Sequence, residues 1–137
     1  VSYLDICQQQ LPIDEGVRGK PYRDTVGKWT IGIGRNLDDI GVSEDEIALM
    51  LKNDIARAAK AAKQLVPSFD TLTENRKAVL VNLAFNIGPI RLSGFIKMLS
   101  AIADQNYDEA AEEMLASKWA SQVGQRAIRL SKQMREG

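Results

Sequence analysis

The sequence predicts an α+β fold, mostly α, in which a small β-sheet lobe and a larger helical lobe are joined by a long helix with a cleft between them. Three observations carry this expectation. Glycines, aromatics and β-branched residues crowd together only within residues 16–42. An apolar period of three and four residues then runs from Ile47 to Leu65, and shorter helical periods fill the chain from Thr73 onward. The 137 residues suit one domain, expected as a β lobe at 16–42, a connecting helix at 43–67 and a helical lobe at 68–137 packed with an N-terminal helix at 2–14.

Each element has a local cause. Leu4, Cys7 and Leu11 fall at helical spacing, and Pro12 should disturb the last turn of that helix, because proline lacks an N–H and its ring crowds the preceding turn. The segment GVRGKPYRDTVGKWTIGIGRNLDDIG holds six glycines around Trp29, Thr30, Ile31 and Ile33, which reads as a small antiparallel sheet with a strand at 28–34. Ser43-Glu44-Asp45-Glu46 forms a capping box, and Ile47, Leu51, Ile55, Ala58, Ala62 and Leu65 give the following helix its apolar face, up to Pro67. Thr73 caps the next helix, which Gly88 and Pro89 should stop. Residues 92–103, 107–116 and 125–135 read as three further helices, with Trp119 at the hydrophobic centre of the larger lobe.

Composition decides which chemistry is open. With no histidine, the chain cannot build a Ser-His or Cys-His pair, a histidine general base or a His-bearing zinc site. Cys7, the single cysteine, makes no internal disulfide and no CxxC clip. Eighteen basic and eighteen acidic residues balance, so a general polyanion binder is not indicated. The balance hides a gradient: residues 114–137 carry five cations against one acid, net +4. Residues 73–113 carry four against six, net −2. No apolar run approaches the ~20 residues that span a bilayer, and Val1 to Gln10 lacks the form of a secretion signal, so neither signal nor anchor is expected.

Glu15 stands where the first helix stops, Asp24 in a turn ahead of the strand, and Thr30 six residues later. Acetal hydrolysis needs one carboxylic acid to protonate the departing oxygen and one carboxylate to activate water or stabilise positive charge. Thr30 can hold a water through its hydroxyl, and the glycines let a bulky polymer approach the backbone. A chain with eighteen acids also produces such pairs as ordinary solvated carboxylates.

The run IDEGVRGKPYRDTVGKWTIGIG at 13–34 resembles the catalytic stretch of phage lysozymes of the T-even type, glycoside hydrolase family 24. FNIG at 85–88, GF at 94–95, DEAAE at 108–112, KW at 118–119 and QRAIR at 125–129 continue the likeness in order over nearly the whole chain. The resemblance implies a lysozyme-like fold and a muramidase cleaving the β-1,4 bond between N-acetylmuramic acid and N-acetylglucosamine of peptidoglycan in the interlobe cleft. It implies Glu15 as general acid, Asp24 as the carboxylate activating water on the opposite sugar face, and Thr30 as the residue positioning that water. To keep its proton near neutral pH, the acid should be buried. Arg126 would fix Glu15, the alternative being a solvated cation. Asn36, Phe85 and Asn86 correspond to substrate-binding or supporting positions, although Phe85 also reads as core.

The likeness further implies inversion at the anomeric carbon, for which the two carboxyls stand ~6.5–9.5 Å apart. No cofactor or metal is expected, no nucleic acid and no stable membrane insertion. A monomer acting on peptidoglycan, held in the host cytoplasm until a holin opens the membrane and then reaching the periplasm and wall, fits this reading. A lytic transglycosylase and a non-catalytic wall-binding module are the alternatives; Asp24 and Thr30 argue against the first, the undamaged motif against the second.

Two features depart from or extend the family pattern. Arg35 stands where a histidine is usual, and Asp54 matches that histidine's partner, so an Arg35–Asp54 ion pair is expected that persists through neutral pH and fails only in acid. The alternative leaves Arg35 facing solvent. Arg126, Arg129, Lys132 and Arg135 form a basic ridge that either draws the enzyme to anionic wall or lipid, or lies as a solvated face near the acidic helix.

Overall fold

A computed structural model describes residues 1–137 as seven α-helices, a three-stranded sheet and one 3-10 turn. The chain divides into two compact units, Val1–Leu49 and Met50–Gly137.

In the first unit, α1 (Tyr3–Glu15) opens with a capping box. Ser2 Oγ accepts from Asp5 N–H at 3.2 Å, and the Asp5 carboxylate accepts from Ser2 N–H at 3.1 Å. Pro12 does not end the helix. The chain stays helical to Glu15 and Gly16 N–H still reaches the Pro12 carbonyl at 3.0 Å, so proline costs only its own missing donor. Gly16, at φ 79°, then turns the chain out of the helix. Strands β1 (Arg18–Arg23), β2 (Trp29–Gly32) and β3 (Arg35–Asn36) form the expected small antiparallel sheet in that order, with the strand placed at 28–34 appearing as β2. Tyr22 pairs with Thr30 and Thr30 with Asn36, so these three stand in a row across one face. A register irregularity separates Arg18, paired with Gly32, from Tyr22.

The expected capping box starts α2 (Glu44–Leu65): Ser43 N–H donates to Glu46 Oε1 at 2.9 Å, and Glu46 N–H donates to Ser43 Oγ at 3.3 Å. The helix begins in the first unit and ends in the second. Only part of its anticipated core face is covered. Ala58 and Ala62 are buried, while Ile47, Leu51 and Ile55 are exposed.

The second unit continues with the 3-10 turn Phe69–Thr71, α3 (Glu74–Ser93), α4 (Ile96–Ala103), α5 (Tyr107–Leu115), α6 (Lys118–Val123) and α7 (Gln125–Glu136). Thr73 caps α3 as expected, its Oγ1 accepting from Arg76 N–H at 3.2 Å. Gly88 interrupts α3 at φ 81°, but one more helical stretch follows at once. Proline is at ease in the first turn of a helix, so Pro89 restarts what Gly88 breaks. The helix expected over 92–103 is therefore two: the end of α3 and then α4.

The core of this unit gathers Val79, Leu80, Leu83, Leu92, Met98, Ile102, Met114, Leu130 and Met134 around Trp119, which is 2% exposed and meets Phe95 edge-on at 6.4 Å. Every buried side-chain nitrogen and oxygen has a hydrogen-bond partner. No single helix is long and apolar enough to cross a membrane.

Candidate active site

The carboxylates singled out by the sequence both sit in the first unit, each placed by a glycine turn. Glu15 is the last residue of α1. Against it lies Gly34, at φ 67° between β2 and β3; a Cβ built there would stand 3.0 Å from Glu15 Oε2 and 3.3 Å from its carboxyl carbon. Glycine is required twice here, for the left-handed backbone and for the approach to the acid. Glu15 is exposed, so the burial expected of it is not found.

Asp24 closes the turn from β1 into β2. Its N–H donates to the Lys28 carbonyl at 2.9 Å, and its own carbonyl accepts from Gly27 N–H at 3.0 Å, with Gly27 at φ 83°. One carboxylate oxygen, Oδ1, accepts from Val26 N–H at 2.9 Å and from Lys28 N–H at 2.8 Å. These two bonds fix the plane of the carboxylate and leave Oδ2 without a protein donor.

Thr30 is 4% exposed, and its hydroxyl donates to the Lys28 carbonyl at 3.0 Å. With its proton committed, the hydroxyl oxygen can only accept. The same residue, Lys28, thus anchors both side chains: its N–H holds Asp24 and its carbonyl holds Thr30. Asn36 shares the Thr30 face, but its amide is engaged in the following turn, donating to Asp39 Oδ2 at 2.9 Å and accepting from Asp39 N–H at 2.9 Å.

Arg35 does not pair as expected. Its Nη1 donates to Glu46 Oε1 at 2.7 Å and to the Gly41 carbonyl at 3.1 Å, while Asp54 pairs with Arg57 one turn along α2. The physical reason is the capping box. Ser43 holds the Glu46 carboxylate at the helix start, where it already faces the turn that Arg35 grips through Gly41. The Arg35 hydrogen bond, and after it those from Ser43, pull the Glu46 carboxyl from about 4.5 down to about 2. Arg35 is correspondingly raised, first by the same hydrogen bond and then by the charge of Glu46.

In the second unit, Phe85 is 46% exposed and therefore is not core. It lines a cavity of about 420 Å³ with Leu51, Ile55, Val81, Asn82 and Arg126. Arg126 donates from Nε and Nη2 to Asn82 Oδ1 at 3.1 and 2.7 Å. Asn82 carried no sequence signal beyond a polar residue on a helix. Asn86, read as a substrate contact, accepts the buried Trp119 indole N–H at 2.8 Å.

Half of the basic ridge is paired with acids. Beyond Arg126, Lys132 lies 4.0 Å from Glu136 and Arg135 lies 3.5 Å from Asp108 of the acidic helix α5, leaving Arg129 unpaired. That arrangement favours the solvated face over a wall-seeking patch.

Comparison with known proteins places the chain in a family. Residues 13–135 match the phage lysozyme family model. The chain is 29% identical to a probable T4-type lysozyme 2 of Dictyostelium discoideum, over 90% of this chain and 89% of that protein. It is also 29% identical to an endolysin of Acyrthosiphon pisum secondary endosymbiont phage 1, over 77% and 71%. Similarity to the pre-baseplate central spike protein Gp5 of Enterobacteria phage T4 is 26% over 90% of this chain but only 26% of that longer protein. With its match spanning Glu15, Asp24, Thr30 and the helices that follow, the chain belongs to the phage lysozyme family and is a glycoside hydrolase of the muramidase kind.

Proposed function

We propose that the protein hydrolyses the β-1,4 bond between N-acetylmuramic acid and N-acetylglucosamine with inversion, using Glu15 as acid, Asp24 as base and Thr30 as the water holder. The observation that carries this is the anchoring of Asp24 and Thr30 on Lys28. It leaves one carboxylate oxygen and the hydroxyl oxygen of Thr30 free to accept, the two acceptors a nucleophilic water needs for its two protons.

In the reaction, Glu15 transfers its proton to the glycosidic oxygen as the bond to the anomeric carbon breaks and positive charge develops on the sugar. Water held by Thr30 and Asp24 attacks from the opposite face and gives its proton to Asp24. Glu15 finishes as carboxylate and Asp24 as acid, and exchange with solvent restores both. Gly34 keeps the loop close to the Glu15 carboxyl without a side chain in the way.

The same anchoring supports hydrolysis over transglycosylation, which has no use for a water holder. The test is mass spectrometry of fragments released from peptidoglycan by wild type and by Glu15→Gln. Reducing muropeptides from the first and almost none from a folded second are expected; anhydro-sugars overturn the reading. Proton NMR should show the α anomer first, and an initial β anomer refutes inversion. For the biological setting we infer host lysis, with the enzyme made in the cytoplasm and released to the wall by a holin, in keeping with the endolysin relative. Fractionation of infected cells before and after holin triggering tests it.

A further inference from the structure

We propose that Arg18, stacked on Tyr22, is an anion subsite that receives a carboxylate of the peptide stem carried by the muramic acid residue; this rests on the muramidase reading above. The Arg18 guanidinium carbon lies 4.3 Å from the centroid of the Tyr22 ring. A ring holds a guanidinium by its face and leaves its edge donors pointing outward. Arg18 makes no ion pair, although its chain holds as many acids as bases and forms six other ion pairs. It is exposed, on the outer strand of the sheet. A fork of N–H donors, already ordered by stacking and free of acids, is the form that binds a carboxylate in two-pronged fashion.

Its position selects the peptide. Tyr22 faces Thr30 across the strands, so the stack shares the face of the proposed water holder. Tyr22 also precedes Asp24 by two residues, a reach of at most about 7 Å of chain. The stem peptide hangs from the lactyl group of the sugar whose anomeric carbon Asp24 would serve. Its carboxylates are therefore the anions tethered closest to this face. A phosphate of an accessory wall polymer offers the same charge but no such tether.

The test compares initial rates on peptide-bearing glycan strands with rates on the same strands stripped of peptide by an amidase. For Arg18→Gln, KM on peptide-bearing strands should rise about tenfold, as for loss of one charge-assisted contact, while kcat and KM on stripped strands stay at wild-type values. Arg18→Lys should recover only part of the loss, because ammonium lacks the fork. Thermal melting confirms that each variant is folded. Equal losses on both substrates, or none on either, overturn the proposal. So does a loss that disappears when hydrofluoric acid removes phosphate polymers and leaves the peptide. If the wild-type enzyme releases no reducing muramic ends from either substrate, the muramidase reading itself fails, whatever Arg18 does.

Discussion

Replacing Gly34 by alanine should separate activity from stability. A Cβ at that position meets Glu15 Oε2 at 3.0 Å, its carboxyl carbon at 3.3 Å and its Cβ at 3.4 Å, and the backbone sits at φ 67°. The left-handed backbone costs an L side chain roughly 1–2 kcal/mol, small beside the ~5–15 kcal/mol that holds a typical domain together. The contact with Glu15 is the more damaging effect. The acid must move by several tenths of an ångström, and displacements approaching 1 Å in a reacting group cost about 100-fold in rate. Gly34→Ala should therefore lower kcat by about 10- to 100-fold with KM little changed and a modest fall in melting temperature. Gly32 supplies the control. It sits at φ 71° at the end of β2, with nothing within 4 Å of its would-be Cβ, so Gly32→Ala carries the backbone cost without touching the acid. Reducing-end release from purified peptidoglycan, with melting curves for all three proteins, decides the matter. Equal rate losses in the two variants would show that strain, rather than the position of Glu15, sets the effect.

Other expectations follow from single contacts. Glu46→Gln should reduce stability by a constant amount from pH 7 to about 5, and that difference should shrink as pH falls below 4.5 and vanish near 2, because the folded carboxyl is held at about 2; urea unfolding across pH measures it, and a difference that persists at pH 2 contradicts the pairing. Asn86→Leu leaves the buried Trp119 N–H without its acceptor, at a cost of about 1–3 kcal/mol, so melting should fall while KM for glycan stays close to wild type. Arg76 donates to the carbonyls of Met134 and Arg135 at 2.7 and 2.9 Å and lies 3.6 Å over the Tyr107 ring. Arg76→Ala should cost about 2–3 kcal/mol, as for bonds to a charged group, and loosen α7 first; amide exchange in residues 125–136 unchanged from wild type would refute this.

The broad plan was legible because it rests on local rules. The Ser43 and Thr73 caps and the glycine-rich sheet segment appear where the residues place them. Asp24 and Thr30 were singled out for the chemistry their side chains offer, yet their shared anchor on Lys28 was not foreseen, since it uses backbone groups that any residue would supply. Arg35 illustrates another limit. Glu46 and Asp54 lie on one helix about two turns apart, both offering a carboxylate. Family likeness favoured the second, whereas the cap had already fixed the first. Pro12 was expected to disturb the last turn of α1 but removes one donor and leaves it helical, whereas the stop read at Gly88 and Pro89 is a break at Gly88 after which Pro89 opens a further helical stretch. Arg126 appears with Asn82 because their meeting is set by packing between α3 and α7, across forty-four residues.

The Arg35–Glu46 pair has a consequence for proton linkage. Where a histidine in that place would titrate between pH 5 and 8, a guanidinium and a carboxyl held near 2 keep the same charges throughout that interval. Folding around this contact neither takes up nor gives off protons there. The tie between sheet and helix is therefore the same at either end of that interval.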